Sequence, residues 1–343
     1  MATWFDESRL DDEAVLEAFG LRLRSLAESG ARVRRESHDA ASATAEAIAR
    51  DRTSSRPRAV IAAGPDSRLL RAVLEPRCPV PFVAWTAPAL PGWTGSLDLV
   101  VMLAPVGSDS GSASAVAEAV RRGAQVVVAC PPTSLVAEHA AGRYTTILPT
   151  VTGDQLATAV VMLDYLEQVG LGPRADAESV ATALDEVALS CSPHRDLAVN
   201  PAKMLAIALA DTTPIVWGGS VLAARAARRV AESMRRASGR SALAADADHL
   251  LPLIEATRQR DVFEDPFAEG VGERRPLLVV LDDGAEDPAV REQRGRLHAA
   301  AAERGVRTET LTTDATTEVA RYASLMLQGL YAAEYLRVGL VDE

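Results

Sequence analysis

Short apolar runs alternate with longer segments of helical periodicity along most of the chain. In the first half, residues 58–74 read as a strand, a glycine turn and a helix. Further buried-type strands are predicted at 80–85, 97–104 and 125–129, with a helix over 115–122. Two helical segments, 7–29 and 31–51, precede them, with Asp11 and Asp12 suited to a helix start. Strands that alternate with helices predict a parallel sheet covered on both faces.

The same pattern recurs in the second half. Residues 214–230 repeat the strand, glycine turn and helix, and 276–283 repeat the buried strand. A helix over 288–304 and a strand over 306–311 complete the copy, and 317–338 is predicted as a final helix. The repeat is one domain long, which indicates a duplicated domain and not a solenoid of short repeats.

These patterns predict an α/β protein with two tandem parallel-sheet domains and flanking helices. Between the halves, 153–169 and 176–189 read as two helices. The predicted boundaries are 1–40 for N-terminal helices, 41–170 for the first domain, 171–199 for a helical linker, and 200–343 for the second domain with its C-terminal helix.

Composition narrows the classes of function. The 343 residues are 48% hydrophobic and carry a net charge of −11, which argues against a nucleic-acid partner because phosphate binding needs basic density. No apolar run approaches the length of a membrane span, and the acidic N-terminus lacks the features of a signal peptide. The three scattered cysteines indicate a reducing compartment, so we expect a cytoplasmic protein without a bound metal or cofactor.

Three loops qualify as binding sites, because ligands of open parallel sheets bind where strands lead into helices. They contain Gly64 and Ser67; Gly107, Ser108, Ser110 and Ser112; and Gly219 and Ser220. Hydroxyl groups and free N–H groups at a helix start can hold a phosphate. The alternative for the serine-rich loop is a flexible segment with an ordinary helix cap.

Known catalytic motifs are absent, including the GxSxG, HExxH, Walker and GxGxxG patterns. Among five scattered histidines, His249 is of interest because it follows the second-half helix at the mouth of the predicted crevice. Glu232 and Glu255 flank that region, and their alternative interpretation is a solvated helix face. Lys203 is the one lysine beside 35 arginines. We include it among the candidate phosphate ligands because an ammonium and a guanidinium are not interchangeable, and the alternative explanation of the count is codon bias.

Several segments in order resemble a known family. They are Asn200-Pro-Ala-Lys-Met-Leu-Ala206, Thr213-Pro-Ile-Val-Trp-Gly-Gly219, Val280-Leu-Asp-Asp-Gly284 with Asp287-Pro-Ala-Val-Arg291, and Glu303-Arg-Gly-Val306. The chain resembles the bacterial bifunctional phosphoglucose/phosphomannose isomerases, in their divergent actinobacterial form. The resemblance spans nearly the whole chain and implies two tandem SIS (sugar isomerase) domains, which are flavodoxin-like parallel-sheet domains.

The resemblance also implies a chemistry. Members of the family convert an aldose 6-phosphate to a ketose, with a serine- and threonine-rich phosphate loop, a glutamate that moves the proton, and a histidine donated across a homodimer. Here the phosphate loop reads Val106-Gly-Ser-Asp109, and the glutamate position falls near Arg235-Arg236. Glu232 lies one turn earlier, only His249 lies near the histidine position, and the C-terminal lysine position is near Leu340.

Three hypotheses follow. The first is a sugar-phosphate-binding protein of this lineage with degenerate catalytic residues, either regulatory or partnering a true isomerase. The second is an active isomerase that converts glucose 6-phosphate or mannose 6-phosphate to fructose 6-phosphate, with Glu232 or Glu255 as base and His249 as ring opener. The third is a dimeric structural module without a ligand. The apolar faces of 222–230 and 323–338 permit a homodimer, although packing within the chain would explain them equally well.

Overall fold

The computed structural model describes residues 3–51, 56–64, 67–258 and 274–342. The chain divides into two compact units. The first-half unit is Ser29–Thr182, and the second-half unit combines Met1–Glu28 with Ala183–Glu343. Within the described ranges, none of the helices is both long and apolar enough to cross a membrane. The domain boundaries predicted from the sequence stay a prediction.

The chain begins with a short strand and two short helices of the second-half unit and then enters the first-half unit. These elements are β1 (Thr3–Phe5), α1 (Glu13–Ala18), α2 (Gly20–Ala27), α3 (Ser29–Asp51), β2 (Val60–Ala63), α4 (Ser67–Leu74), β3 (Phe82–Trp85), β4 (Leu99–Leu103), α5 (Ser110–Arg121), β5 (Gln125–Cys130), α6 (Leu135–His139), β6 (Thr145–Pro149) and α7 (Gln155–Gln168).

The helix α8 (Ala177–Ser190) contains the boundary between the units. The remaining elements are α9 (Pro201–Leu209), β7 (Thr213–Gly218), α10 (Val221–Ser238), β8 (Leu243–Ala244), α11 (Ala247–Glu255), β9 (Pro276–Asp282), α12 (Pro288–Arg304), β10 (Arg307–Thr312), α13 (Glu318–Gly339) and β11 (Leu340–Asp342).

The first-half unit is built on a five-stranded parallel sheet in the order β3-β2-β4-β5-β6. Its central strands β2 and β4 are buried throughout, as predicted for a sheet with both faces covered. One face forms a core with α5 and α6 through alternate strand residues such as Ile61, Val100 and Met102. The order reverses between β2 and β4, so their carboxyl ends flank the crevice where such sheets bind ligands.

The second-half unit has a four-stranded parallel sheet in the order β10-β9-β7-β8, which reverses between β7 and β9. Ile215 and Trp217 form a core on one face with α11 and α12. Gly218 faces the opposite side, where a side chain would collide with the backbone of Ala223 in α10. The two units therefore repeat one arrangement, which confirms the predicted α/β fold with parallel sheets.

The N-terminal segment completes the second-half unit. β1 pairs with β11 in an antiparallel ribbon, and a side chain at Gly339 would collide with the ring of Phe5. α10 and α13 approach closely because Gly329 lies directly against Val230. The apolar faces at 222–230 and 323–338 thus pack against each other within the unit, which is the intramolecular alternative that the sequence left open.

Most predicted strands and helices lie within a few residues of their predicted limits, and one difference matters for the site. The helix predicted over 115–122 begins five residues earlier, at Ser110. Asp109 explains the earlier start, because its carboxylate accepts a hydrogen bond from the backbone N–H of Ser112 and caps the helix. The sequence pattern had left β1, β6, β8, β11, α6, α9 and α11 without a prediction.

Candidate functional site

The carboxyl ends of β2 and β4 bring the first two predicted loops together. Gly64 follows β2 with a φ of +89°, and an added Cβ would lie 2.8 Å from Met102 Sδ and 3.6 Å from Ser112 Oγ. Gly107 follows β4 with a φ of +72°, and a side chain there would collide with Ser134. Both positions need glycine because the backbone is left-handed and closely approached.

Ser67 is the first residue of α4 and lies beside Gly64, whose carbonyl accepts its backbone N–H at 3.3 Å. The residue is 1% exposed, and its Oγ has no hydrogen-bond partner in the described part of the chain. A buried hydroxyl without a partner is destabilising, so such a group in a native fold calls for an explanation. It lies where free helix N–H groups attract anions.

At the start of α5, the position that an anion would take is filled by a side chain of the protein. Asp109 Oδ2 accepts the N–H of Ser112 at 2.6 Å. Hydrogen bonds from the Ser112 hydroxyl and N–H, together with that of Gly111, lower the pKa of Asp109 despite partial desolvation. Ser112 is buried, whereas Ser108 and Ser110 are exposed. The serine-rich segment is therefore a capped helix start with its buried hydroxyl already paired.

At the equivalent edge of the second-half unit, the polar side chains form hydrogen bonds and ion pairs with one another. Ser220 follows β7 and donates its hydroxyl to Asp283, which follows β9. Ser220 also caps α10 by accepting the N–H of Ala223 at 3.0 Å. A side chain at Gly219 would collide with Val290. Arg294 pairs with the neighbouring Asp282, so an incoming anion would meet paired groups and two carboxylates.

Lys203 lies in the interior of the second-half unit and not at a strand end. Its side chain is 0% exposed, and Nζ donates to Asp11 Oδ1 at 2.7 Å and to the carbonyls of Pro193 and Arg195, each at 2.9 Å. It also lies 5.5 Å from the ring centroid of Tyr335. These three acceptors use all three donors of the ammonium group, so Lys203 has no free donor for a phosphate in this arrangement.

The predicted catalytic residues do not come together. Glu232 lies on α10 and pairs through both oxygens, with Arg229 at 3.2 Å and Arg236 at 2.5 Å. His249 and Glu255 are exposed on α11. α11 belongs to the core on the Ile215 and Trp217 face, whereas α10 packs on the face of Gly218. The two helices approach each other through Arg228 and Asp246, whose side chains lie 4.0 Å apart.

Sequence reasoning missed several contributors to the two edges. Ser134 follows β5 and caps α6, Trp85 ends β3, and Asp283 pairs with Ser220. Asp283 stood within a recognised segment, but nothing in the spacing linked it to a serine 63 residues away. Among the described residues, no group of three or more His, Cys, Asp or Glu is placed to hold a metal ion.

Comparison with solved structures identifies the fold class. The chain resembles tagatose-6-phosphate ketose/aldose isomerase from Escherichia coli, with a TM-score of 0.65 at 11% identity over 91% of this chain and 92% of that one. It also resembles the C-terminal domain of glucosamine-fructose-6-phosphate aminotransferase from Francisella tularensis, with a TM-score of 0.62 at 13% identity over 93% and 96% of the two chains. The fold is thus that of the SIS phosphosugar isomerases.

A narrower match concerns the second half. Residues 198–339 match the family model of the bacterial phospho-glucose isomerase C-terminal SIS domain. A glucose-6-phosphate isomerase like protein from Thermus thermophilus aligns with a TM-score of 0.52 at 17% identity over 89% of this chain and 92% of that one. No curated protein matches the chain.

Proposed function

We propose that the protein binds a sugar phosphate at the carboxyl edge of the first-half sheet, with degenerate catalytic residues, in the phosphoglucose/phosphomannose isomerase lineage. The phosphate would lie at the start of α4, against Gly64 and Ser67. The observation that carries the proposal is the Ser67 hydroxyl, which is buried and without a partner among the described residues, at a helix N-terminus beside a left-handed glycine. A phosphate oxygen would accept its hydrogen bond.

The Ser67 hydroxyl, which is unpaired among the described residues, supports this position over the serine-rich segment that the sequence favoured, where Asp109 already caps the helix. A carboxylate and a phosphate repel each other, and Asp109 already accepts hydrogen bonds at the start of α5. We therefore place the phosphate at α4. Ser112 and Gly107 are proposed to line the crevice, and Ser108 and Ser110 to contribute only at its exposed rim. The predicted site at Gly219 and Ser220 is proposed to stay empty.

The positions of the candidate catalytic groups support a binding protein. Proton transfer between C1 and C2 of a sugar needs a carboxylate within hydrogen-bond reach of those carbons. Glu232 has both oxygens on arginines of its own helix. His249 and Glu255 belong to a helix on the other face of the sheet. A homodimer and a role beside a true isomerase are part of the same proposal.

Thermal unfolding with inorganic phosphate and with glucose 6-phosphate tests the binding site. A ligand that binds only the folded state raises its melting temperature. Ser67→Ala should remove most of this rise while leaving the ligand-free protein as stable as before, because the lost hydroxyl is unpaired. Thr158→Val is the matched control, because Thr158 Oγ1 on α7 is also buried and without a partner in the described residues. Equal ligand responses of the two variants would overturn the proposal.

The second candidate is an active phosphohexose isomerase, which the match of residues 198–339 favours. A coupled assay that detects fructose 6-phosphate from glucose 6-phosphate or mannose 6-phosphate tests it. Glu232→Gln, His249→Ala and Glu255→Gln would be assayed in parallel. Turnover abolished by one of these changes would replace the binding proposal, whereas absence of turnover at high protein concentration would exclude the isomerase.

A further inference from the structure

The amino edge of the first-half sheet, where its parallel strands begin, carries three large exposed apolar side chains. Trp93 and Leu97 lie between β3 and β4 and are 50% and 66% exposed. Tyr144 directly precedes β6 and is 57% exposed. Single exposed apolar residues are normal on a protein surface, whereas several that share one edge of a sheet are typical of an interaction site.

The C-terminal end of α5 contacts both of the segments that carry these side chains. A Cβ added at Gly142, two residues before Tyr144, would lie 2.9 Å from Val120 Cγ1 of α5. A Cβ added at Gly123, just after α5, would lie 3.7 Å from Ser96 Cβ, beside Leu97. The two segments therefore approach the same helix end and form one surface.

The segment that carries Trp93 is fixed in place by a buried carboxylate. Asp98 is 0% exposed and accepts from Arg58 Nε at 2.9 Å, from Arg58 Nη2 at 2.6 Å and from the N–H of Gly95 at 2.8 Å. Arg58 Nη2 also donates to the carbonyl of Trp93 at 3.0 Å. A side chain held on an ordered segment loses little conformational entropy when a partner binds it.

The charge of this surface is opposite to that of the whole chain, whose net charge is −11. Arg121 at the end of α5 and Arg143 beside Tyr144 are exposed, and neither has an ion pair in the part of the chain that the structure describes. The nearby carboxylate of Glu118 already pairs with Arg122. The surface therefore has arginines available to pair with carboxylates of a partner.

The aromatic rings favour a protein partner over a nucleic acid. Each ring already has an arginine of this chain near its face, Arg58 at 5.8 Å from the Trp93 centroid and Arg143 at 5.4 Å from the Tyr144 centroid. Proteins that bind single-stranded nucleic acids stack the bases on aromatic faces along a basic groove. In protein interfaces, Trp, Tyr and Arg are enriched among the residues that contribute most of the binding energy.

We propose that the surface formed by Trp93, Leu97, Arg121, Arg143 and Tyr144, the amino-edge surface, binds an acidic and apolar segment of a partner protein. The apolar side chains would pack against apolar residues of that segment, and the two arginines would pair with its carboxylates. The inference goes beyond the proposed function and does not depend on it, because a phosphate would bind at the opposite, carboxyl edge of the sheet.

A synthetic peptide that alternates glutamate and aspartate with leucine and phenylalanine is the probe, and fluorescence anisotropy measures its binding to the full chain. Trp93→Ala should weaken binding about tenfold or more, as the loss of an aromatic anchor in an interface does. The variant keeps the backbone carbonyl that Arg58 contacts. Trp4→Ala is the matched control, because Trp4 is 51% exposed but lies in the second-half unit.

Charge reversal is the second arm of the test. Arg121→Glu should weaken binding of the acidic peptide severalfold and reduce its dependence on salt. Arg291→Glu is the control, because Arg291 is also exposed on a helix but belongs to α12 of the second-half unit. A peptide of the same pattern with lysine in place of the acidic residues should bind neither the wild type nor the controls.

Absence of binding by the wild type, or equal affinities of the wild type and both Trp93→Ala and Arg121→Glu, would overturn the proposal. Equal binding of the acidic and the lysine peptides would overturn the acidic nature of the partner. Tighter binding of a single-stranded oligonucleotide than of the acidic peptide, lost in Arg121→Glu, would replace the protein partner with a nucleic acid.

Discussion

Each of the two units has a parallel sheet with an equivalent carboxyl edge, but the side chains at that edge are paired differently. In the first-half unit, the serine that begins the helix after the first strand, Ser67, keeps a buried hydroxyl that is unpaired among the described residues. In the second-half unit, the corresponding serine, Ser220, donates to Asp283 from the neighbouring strand end. The duplicated fold therefore has one edge whose serine is unpaired among the described residues and one edge whose serine is paired. The difference lies in a few side chains and not in the backbone arrangement, since both sheets reverse their order at the same relative point.

The largest expected effect on stability concerns Lys203, the cation buried in the second-half unit. Lys203→Met should lower the free energy of unfolding by about 3 kcal/mol, because it removes the buried member of an ion pair and leaves two carbonyls without their donor. Urea denaturation measures this loss. Asp11→Asn should have a smaller effect, because Asp11 is 43% exposed and the hydrogen bond is partly kept. If Lys203→Met is as stable as the wild type but its melting temperature no longer rises with phosphate, Lys203 is a phosphate ligand, as predicted from the sequence.

Titration calorimetry should detect one phosphate site in each chain. Ser67→Ala should weaken binding by about tenfold or more, because hydrogen bonds to charged groups contribute about 1.5–3 kcal/mol. Ser220→Ala should leave both stoichiometry and affinity unchanged. Binding of a second equivalent of phosphate by the wild type, or loss of an equivalent in Ser220→Ala, would show that the edge of the second-half unit also binds phosphate.

Asp109→Ser should strengthen phosphate binding severalfold. The change removes a carboxylate from the crevice, and a serine still caps α5. The control is Asp12→Ser, which replaces a carboxylate with the same capping role at α1 in the other unit. Both variants should unfold at similar temperatures. If both bind phosphate equally well, Asp109 does not influence the site.

Ser220→Ala and Ser67→Ala should also differ in stability without ligand. Ser220 accepts the N–H of Ala223, and losing such a cap lowers the free energy of unfolding by about 1 kcal/mol. Ser67→Ala removes a hydroxyl that has no partner in the described ranges, so no loss is expected. Thermal unfolding of the two variants side by side measures the difference. A destabilised Ser67→Ala would indicate that the Ser67 hydroxyl already has a structural role.

The smallest effect is a pH dependence from Asp109. Hydrogen bonds from Ser112 and Gly111 hold its pKa in the folded protein below that of the unfolded chain. Its contribution to stability is therefore fully present above the unfolded pKa of about 4 and disappears as the pH falls through the lower pKa of the folded protein. The stability difference between the wild type and Asp109→Asn should shrink over that acidic window. A difference that grows on acidification would contradict the assignment.

Element order was predictable because hydrophobic periodicity depends on local burial. The buried strand at 99–103 and the helix at 288–304 lie where the apolar pattern and the capping residues place them. The start of α5 was missed because the serines read as a loop, although Asp109 could have been recognised as a cap. The segment at 135–139 was missed because so short a helix cannot show a period.

The candidate site was predictable only as a set of loops. Parallel strands alternating with helices place glycine and serine residues at one edge, and this much follows from topology. Which hydroxyl is free depends on partners far away in the sequence. Asp283 lies 63 residues from Ser220, and Asp11 lies 192 residues from Lys203. No local pattern records such pairings.

The sequence by itself determined the class of this protein: a duplicated α/β chain, acidic and rich in arginine, whose glycine and serine residues follow buried strands. Periodicity and turn residues carry that information because they act over a few neighbouring residues. Only the tertiary structure decided that Ser67 keeps a donor unpaired among the described residues, that Ser220 is closed by Asp283, and that Lys203 lies inside. The physical reason is that hydrogen bonding in a buried site is decided by which distant side chains arrive beside it.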